Sequence, residues 1–267
     1  MENTKDTNPT KPTKLTKITL GIPTFRRFDF LKIYLPRYLA MDIDEVLVCD
    51  ETGEDIEHIK KESWGNHPKL TLIKNRKRLG TYLNKCAVLN NARNDWVAVI
   101  DSDNEVRPEF FTGLFEFWKE HGINEKAIYC PGEMQRKTII DDADGDATFR
   151  PLVNMRITKD NWNSFLHSFL NYAEMALNNM NYVCHKSNYS LLPEDITTVL
   201  PDLKALPNIE SFPYDAIFIT RTLVMSGIDF IIVPKMKYFH LVHDGSEYVN
   251  YSNIFHNTIY PLIKFIS

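Results

Sequence analysis

The sequence predicts an α/β protein whose mostly parallel central sheet is flanked by helices. Apolar runs of strand length alternate along residues 17–130 with stretches whose apolar residues recur at helical spacing, which is typical of a parallel sheet. Residues 96–100 are continuously apolar, as expected of a strand covered by helices on both faces. With 267 residues and 43% hydrophobic content, the chain is large enough to bury an extensive core.

Composition excludes several classes of protein. The formal net charge of −4 argues against a nucleic-acid-binding surface. No apolar stretch approaches the roughly 20 residues of a membrane span, and no apolar segment follows the N-terminal charges, so we expect a soluble cytoplasmic protein, with peripheral membrane association left open. Four widely spaced cysteines without C-x-x-C pairing predict buried free thiols in a reducing compartment: Cys49, Cys86, Cys130 and Cys184.

The elements of the N-terminal half follow in order. Residues 1–16 are almost wholly polar and cannot offset the entropy cost of ordering, which predicts a flexible tail. The first strand is predicted at 17–22 and ends at Pro23, because proline lacks the next hydrogen-bond donor. Apolar residues at helical spacing predict a helix over 29–41, which Pro36 must kink or split.

Three further elements lead to the central strand. Residues 45–49 and 69–73 are predicted strands, and the first of them ends in the carboxylate of Asp50. The second gives way to a basic loop, after which the apolar spacing predicts a helix over 79–90.

Beyond the central strand, a helix is predicted from Pro108 to Gly122 and a strand at 127–130. Residues 133–150 contain four aspartates, but Ala147 stands where a calcium-binding EF-hand loop needs glycine. We therefore expect a mobile solvated loop there. The remaining predicted elements are helices at 162–177 and 215–227 and strands at 182–185, 230–233 and 238–243.

Two carboxylates, Asp101 and Asp103, stand one residue apart where the central strand ends. Ser102 lies between them on the other side of the chain, so both carboxylates can converge on one point. Open α/β sheets bind ligands at this edge, and paired carboxylates there suit a divalent cation that also takes water and phosphate oxygens. The alternative interpretation is an Asx turn followed by a helix cap.

Together these blocks resemble the GT-A glycosyltransferases, in particular the family-2-like nucleotide-sugar transferases. The likeness rests on residues 22–27 (IPTFRR), 48–52 (VCDET), the D-x-D at 101–103, and the stretch from 214 to 240 with its Arg, Gly, Pro and His. The resemblance implies a GT-A, Rossmann-like sheet with a smaller acceptor-side lobe in the C-terminal half. It assigns nucleotide-sugar binding to 17–130 and acceptor binding to 131–267.

The resemblance also implies roles for individual residues. Asp50 would accept a hydrogen bond from the nucleobase, and a turn-forming role is its alternative. Arg78 would neutralise the diphosphate, and the backbone amides of the predicted helix start at Gly80 would also favour phosphate. The whole set expected to bind the nucleotide sugar is Pro23, Thr24, Arg26, Asp50, Arg78, Gly80, Asp101 and Ser102.

The metal site and the catalytic base are implied in the same way. Asp103, assisted by Asp101, would hold Mn²⁺ or Mg²⁺ with the family's late histidine at His240, while His243 is the weaker candidate. Asp215 would be the catalytic base. The family normally has Glu-Asp there, whereas Tyr214 precedes Asp215 in this chain, and Glu194–Asp195 is the rival site.

The resulting expectation is a metal-dependent, inverting glycosyltransferase of glycan or polysaccharide biosynthesis. It moves a sugar from a nucleoside-diphosphate donor, with UDP favoured, to a hydroxyl of a glycan or glycoconjugate. Two alternatives stay open. One is a sugar-phosphate nucleotidyltransferase, although such enzymes need a glycine-rich basic loop after the first strand, and Pro23-Thr24-Phe25 stands there. The other is a non-catalytic carbohydrate-binding protein.

Overall fold

The structure is a computed structural model, which describes residues 16–138, 144–148, 152–168, 181–195 and 215–243. Its N-terminal half alternates strands and helices, as the sequence predicts. The elements are β1 (Ile18–Thr24), α1 (Phe28–Leu39), β2 (Glu45–Asp50), α2 (Glu54–Ile59), β3 (Leu70–Lys74), α3 (Gly80–Asn91) and β4 (Trp96–Val99). The four strands pair in parallel in the order β3-β2-β1-β4.

The C-terminal half extends the same sheet. Its elements are β5 (Glu105–Val106), α4 (Pro108–His121), β6 (Ala127–Thr138), β7 (Asp144–Thr148), β8 (Arg156–Ile157), α5 (Trp162–Ser168), β9 (Tyr182–His185), α6 (Asp215–Met225) and β10 (Asp229–Val242). Short 3₁₀ helices cover Lys159–Asn161 and Lys186–Leu191. The described strands form one ten-stranded sheet with the order β3-β2-β1-β4-β9-β6-β10-β5, with β7 paired to β6 and β8 to β10.

Strand direction in this sheet is mixed but ordered. β9 is antiparallel to both of its neighbours, β4 and β6, and β10 is parallel to β6. Two reversals restore the direction, so among the described strands β1–β4, β6 and β10 all run the same way. The predicted α/β fold with a central sheet and flanking helices is confirmed, and the carboxyl ends of these six strands lie at one edge.

Close packing fixes α3 and α4 against the sheet. A Cβ atom added to Gly21 would lie 2.1 Å from Cγ1 of Val88, so α3 approaches β1 as closely as a glycine permits. A Cβ atom on Gly113 of α4 would lie 2.5 Å from the carbonyl oxygen of Lys235. That carbonyl belongs to the irregularity in β10, where the register to β6 shifts between Val233 and Lys237.

Several local predictions need correction. Pro36 does not split the helix, because it lies inside α1, which continues to Leu39. Residues 144–148, expected in a mobile solvated loop, form β7 and pair antiparallel with β6. This strand has poor β-formers, so its backbone pairing with β6 overrides local propensity. The short helix α2 was not predicted.

Other expectations meet the limits of the described residues. Residues 1–15 of the predicted tail and residues 169–177 of the predicted helix lie outside them. All four cysteines are buried and free, as predicted. Within the described part of the chain, no helix is both long enough and apolar enough to cross a membrane.

Candidate active site

The carboxyl ends of β1 and β2 carry a buried polar network. The hydroxyl of Thr24 donates to Oδ2 of Asp55 at 2.6 Å, and the backbone N–H of Arg27 donates to Oδ1 of the same carboxylate at 3.0 Å. Asn84 of α3 donates from Nδ2 to the carbonyl oxygen of Thr24 at 3.3 Å and accepts from Asn75 at 2.9 Å. These bonds tie the predicted donor-binding turn to α2 and α3.

A buried lysine joins two of the predicted site carboxylates. Nζ of Lys85 lies 2.8 Å from Oδ1 of Asp101 and also contacts Oδ2 of Asp215. The side chains of Lys85 and Asp215 are 7% and 5% exposed, so this contact is almost sealed from solvent. The structure therefore brings the end of β4 and the start of α6 together, as the predicted site requires, through a residue that was not predicted.

The charges of this cluster shift one another's proton affinities. Burial alone would lower the pKa of Lys85, but the carboxylates of Asp101 and Asp215 outweigh it and raise that pKa above its ordinary value. Burial raises the pKa of Asp101. The Lys85 ammonium opposes this rise, and the negative charges of Asp215 and Asp103 add to it. Lys85 is thus the cation that neutralises Asp101 and offsets the cost of burying the carboxylate of Asp215.

The second carboxylate of the D-x-D faces a histidine. Oδ2 of Asp103 lies 3.2 Å from Nε2 of His243, whose ring packs on Phe30 with centroids 4.8 Å apart. Burial would raise the pKa of Asp103, but the hydrogen bond from His243 and the guanidinium of Arg27 lower it overall, with a smaller contribution from His240. Carboxylate and imidazole thus meet where β4 and β10 end.

The donor atoms of Asp103 and His243 suit a divalent cation. Asp103 is 20% exposed at its side chain, and carboxylate and imidazole are both donors that manganese accepts. Two protein ligands suffice where phosphate oxygens and water complete the shell. The predicted ligand Asp101 instead directs Oδ1 to Lys85. No group of three or more potential protein ligands gathers within the residues that the structure describes.

Of the two late histidines, His243 makes the contact with Asp103. The prediction ranked His240 first on the resemblance alone. His240 precedes the end of β10, and its ring lies 6.4 Å from that of Tyr238. The role of His240 as a metal ligand stays a prediction. His243 is the histidine whose ring nitrogen lies within hydrogen-bond distance of Asp103.

Asp50 has the geometry of its alternative, turn-forming role. Its side chain is completely buried, and Oδ1 and Oδ2 accept the backbone N–H groups of Thr52 and Ile56, each at 3.0 Å. The carboxylate thereby holds the turn between β2 and the start of α2. The role of Asp50 toward a nucleobase stays a prediction.

The predicted diphosphate-binding groups share a buried glutamate that was not predicted. Nε of Arg78 lies 3.4 Å from Oε2 of Glu51, and the guanidinium stacks over Phe25 at 4.5 Å. Burial raises the pKa of Glu51, although Arg78 and the backbone N–H of Gly80 both oppose the rise. Gly80 begins α3 with a φ of +76°, a conformation that favours glycine.

The remaining predicted residues take different places. Pro23 is buried within β1, and Ser102 is buried between the two aspartates. Arg26 is exposed and forms a forked ion pair with Glu54, at 3.0 to 3.2 Å. The rival acids Glu194 and Asp195 are exposed, whereas Asp215 contacts the buried lysine.

Two asparagines that the prediction missed brace the D-x-D turn. Oδ1 of Asn181 accepts from the backbone N–H of Asp101 and from Nδ2 of Asn104, both at 3.4 Å. Oδ1 of Asn104 in turn accepts from the backbone N–H of Leu241 at 3.3 Å. The only sequence signal was the position of Asn104 directly after the D-x-D.

Comparison with known proteins gives one family. A family model described as Glycosyl transferase family 2 matches residues 19–172, more than half of the chain. No curated relative was found by sequence similarity.

Solved structures of S. aureus TarS share the fold. TarS 1–349 is 15% identical with a TM-score of 0.56, and the alignment covers 85% of this chain and 60% of that one. The same fragment in complex with UDP-GlcNAc gives 14% identity, a TM-score of 0.57, and coverages of 87% and 60%. The longer TarS structure is 15% identical with a TM-score of 0.57, and the alignment covers 85% of this chain and 37% of that one. This chain therefore spans about three fifths of the TarS fragment.

Proposed function

The chain belongs to glycosyl transferase family 2, and from that premise we propose that it transfers a sugar from a UDP-linked donor to a hydroxyl of a glycan or glycoconjugate. One observation carries the proposal: Asp101, Asp103 and Asp215 gather at the carboxyl edge of the sheet, each with a cationic or imidazole partner. Complexes of TarS with UDP and with UDP-GlcNAc support the choice of nucleotide.

Each part of the site has a task in this reaction. Asp103 and His243 would hold Mn²⁺ or Mg²⁺, which neutralises charge developing on the departing diphosphate. Arg78 and the N-terminus of α3 at Gly80 would bind the diphosphate oxygens. Asp215 would accept the proton of the attacking hydroxyl. Inversion follows where this base and the diphosphate lie on opposite faces of the anomeric carbon.

The alternative functions have less support. A nucleotidyltransferase needs backbone N–H groups of a glycine-rich loop after β1, but that position holds Phe25 and Arg26, and Arg26 pairs with Glu54 at the surface. A carbohydrate-binding protein has no need of a buried lysine that pairs with two carboxylates, because burying such charges costs stability.

Ligand binding and product analysis test the proposal. A ligand that binds only the folded state stabilises it, by about 2.7 kcal/mol at a hundredfold excess over its dissociation constant. We therefore expect UDP-GlcNAc with Mn²⁺ to raise the melting temperature, and turnover to release UDP. Release of pyrophosphate from a sugar phosphate and UTP would instead indicate the nucleotidyltransferase. Binding of glycans without any donor turnover would indicate the carbohydrate-binding protein.

A further inference from the structure

We propose that Lys85 is a positioning residue, which holds the carboxylate of Asp215 in its working direction by tying it to Asp101. This inference rests on the proposed function, because it presumes that Asp215 accepts a proton. It goes beyond that function in giving the site a component that neither binds the donor nor takes part in proton transfer.

The geometry leaves Lys85 little freedom. Its ammonium contacts Oδ1 of Asp101 and Oδ2 of Asp215, and its side chain is 7% exposed. A long side chain that is buried along its whole length cannot exchange between rotamers as a surface lysine does. The direction in which Asp215 presents its carboxylate is therefore coupled to the backbone of α3.

That backbone is itself fixed from two sides. The residue before Lys85, Asn84, donates to the carbonyl oxygen of Thr24 at the end of β1. One turn further on, Val88 fills the space that the missing side chain of Gly21 leaves on the same strand. The contacts of α3 with β1 therefore fix where the ammonium of Lys85 lies, and the ammonium in turn fixes the carboxylate of Asp215.

The charges around the site are divided into two groups. Asp103 faces His243 and lies near the guanidinium of Arg27. Asp101 and Asp215 both face Lys85. A divalent cation at Asp103 would leave the Lys85 group intact, so orientation of the base and binding of the cation are separate tasks of the two halves of the D-x-D.

A lysine that serves only as a counter-ion would give a different result from one that positions the base. The counter-ion role predicts loss of stability and unchanged turnover by every molecule that still folds. The positioning role predicts a loss in kcat without a loss in donor binding, because a misdirected base matters only in the transition state. A displacement of about 1 Å in a reacting group can lower the rate by about 10²-fold.

The test compares Lys85→Met with the wild type, using UDP-GlcNAc and Mn²⁺ as the probe and UDP release with water or a glycan as acceptor. Lys119→Met is the matched control, because Lys119 is an exposed lysine on α4. We expect kcat of Lys85→Met to fall by about 10²-fold while the affinity for UDP stays that of the wild type. Lys85→Arg keeps the charge and should recover part of the lost kcat.

A second variant covers the case in which Lys85→Met does not fold. Lys85→Met/Asp101→Asn removes one of the two carboxylates that would be left without a cation, so its melting temperature should exceed that of Lys85→Met. Its kcat should remain low, because Asp215 is still not held. Wild-type kcat in either folded variant, or equal losses of kcat and of UDP affinity, would overturn the assignment. Absence of UDP release by the wild type would refute the proposed function instead.

Discussion

Replacing Asp50 by alanine distinguishes the two roles that its position allows. Both carboxylate oxygens accept a backbone N–H at 3.0 Å, from Thr52 and from Ile56, and the side chain is completely buried. Alanine leaves both N–H groups without acceptors inside the protein. A hydrogen bond to a charged group contributes roughly 1.5 to 3 kcal/mol, so the pair corresponds to roughly 3 to 6 kcal/mol of unfolding free energy.

Such a loss is large beside a typical total stability of about 5 to 15 kcal/mol. Since about 1 kcal/mol shifts the melting temperature of a protein of this size by roughly 2 to 4 °C, we expect Asp50→Ala to melt roughly 6 to 24 °C lower. Asp50→Asn keeps one acceptor oxygen, so its melting temperature should lie between those of Asp50→Ala and the wild type. Asp42→Ala, at an exposed position in the preceding loop, is the matched control.

The assay joins thermal unfolding without ligand to calorimetry of UDP binding on the folded variant. If Asp50 holds the turn, the melting temperature falls and the affinity of the folded protein for UDP changes little. If Asp50 binds the nucleobase, the affinity for UDP falls and the melting temperature stays that of the wild type. An Asp50→Ala variant that melts with the wild type would refute the role in the turn.

Three other perturbations address the remaining parts of the site. Asp215→Asn should lower kcat by roughly 10²- to 10⁴-fold at unchanged donor affinity, and wild-type kcat would move attention to Glu194 and Asp195. Asp103→Ala should abolish the part of the UDP-GlcNAc thermal shift that depends on Mn²⁺, whereas full activity of this variant in excess chelator would remove the cation from the mechanism. Glu51→Gln tests a pKa that burial raises from its ordinary 4.5. Because the folded state binds this proton more tightly than the unfolded state, Glu51 contributes stability below pH 4.5 that is lost as pH rises through the raised pKa. Urea unfolding should therefore show that the unfolding free energy of Glu51→Gln rises relative to that of the wild type as pH increases across that window. A difference that stays constant with pH would contradict the assignment.

The N-terminal half could be predicted from the sequence because its signals are local. Strands of a parallel sheet are covered on both faces, so each appears as an unbroken apolar run. Residues 45–49 were predicted as a strand and β2 covers Glu45–Asp50, all of it buried. The helix predicted at 79–90 is α3, Gly80–Asn91. Here burial, propensity and spacing agree.

The order and direction of the later strands could not be predicted in the same way. Residues 182–185 show the apolar pattern of a strand, and β9 is there. Nothing in four residues indicates that they insert between β4 and β6 and run opposite to both. β7 pairs with β6 through its backbone. Its sequence shows no alternation of apolar and polar residues, so no local signal predicts this strand.

The carboxylates of the site were predictable, but the lysine that joins two of them was not. Asp101 and Asp103 follow an apolar run directly, which is a local signal. A lysine in a helix usually lies on a solvated face, and the partners of Lys85 are distant in sequence. One signal was present: Lys85 follows Tyr82 and precedes Leu89 at helical spacing, and both of these residues are buried.

The reversed strand explains how distant parts of the chain form one site. β9 is antiparallel to β4 and to β6, and β10 is parallel to β6, so β10 runs in the same direction as β4. The two strands therefore end at the same edge, and His243, directly after β10, reaches Asp103, which follows β4. Had β9 been parallel to one of its neighbours, β10 would end at the opposite edge. The contact between carboxylate and imidazole thus depends on the direction of one four-residue strand, Tyr182–His185.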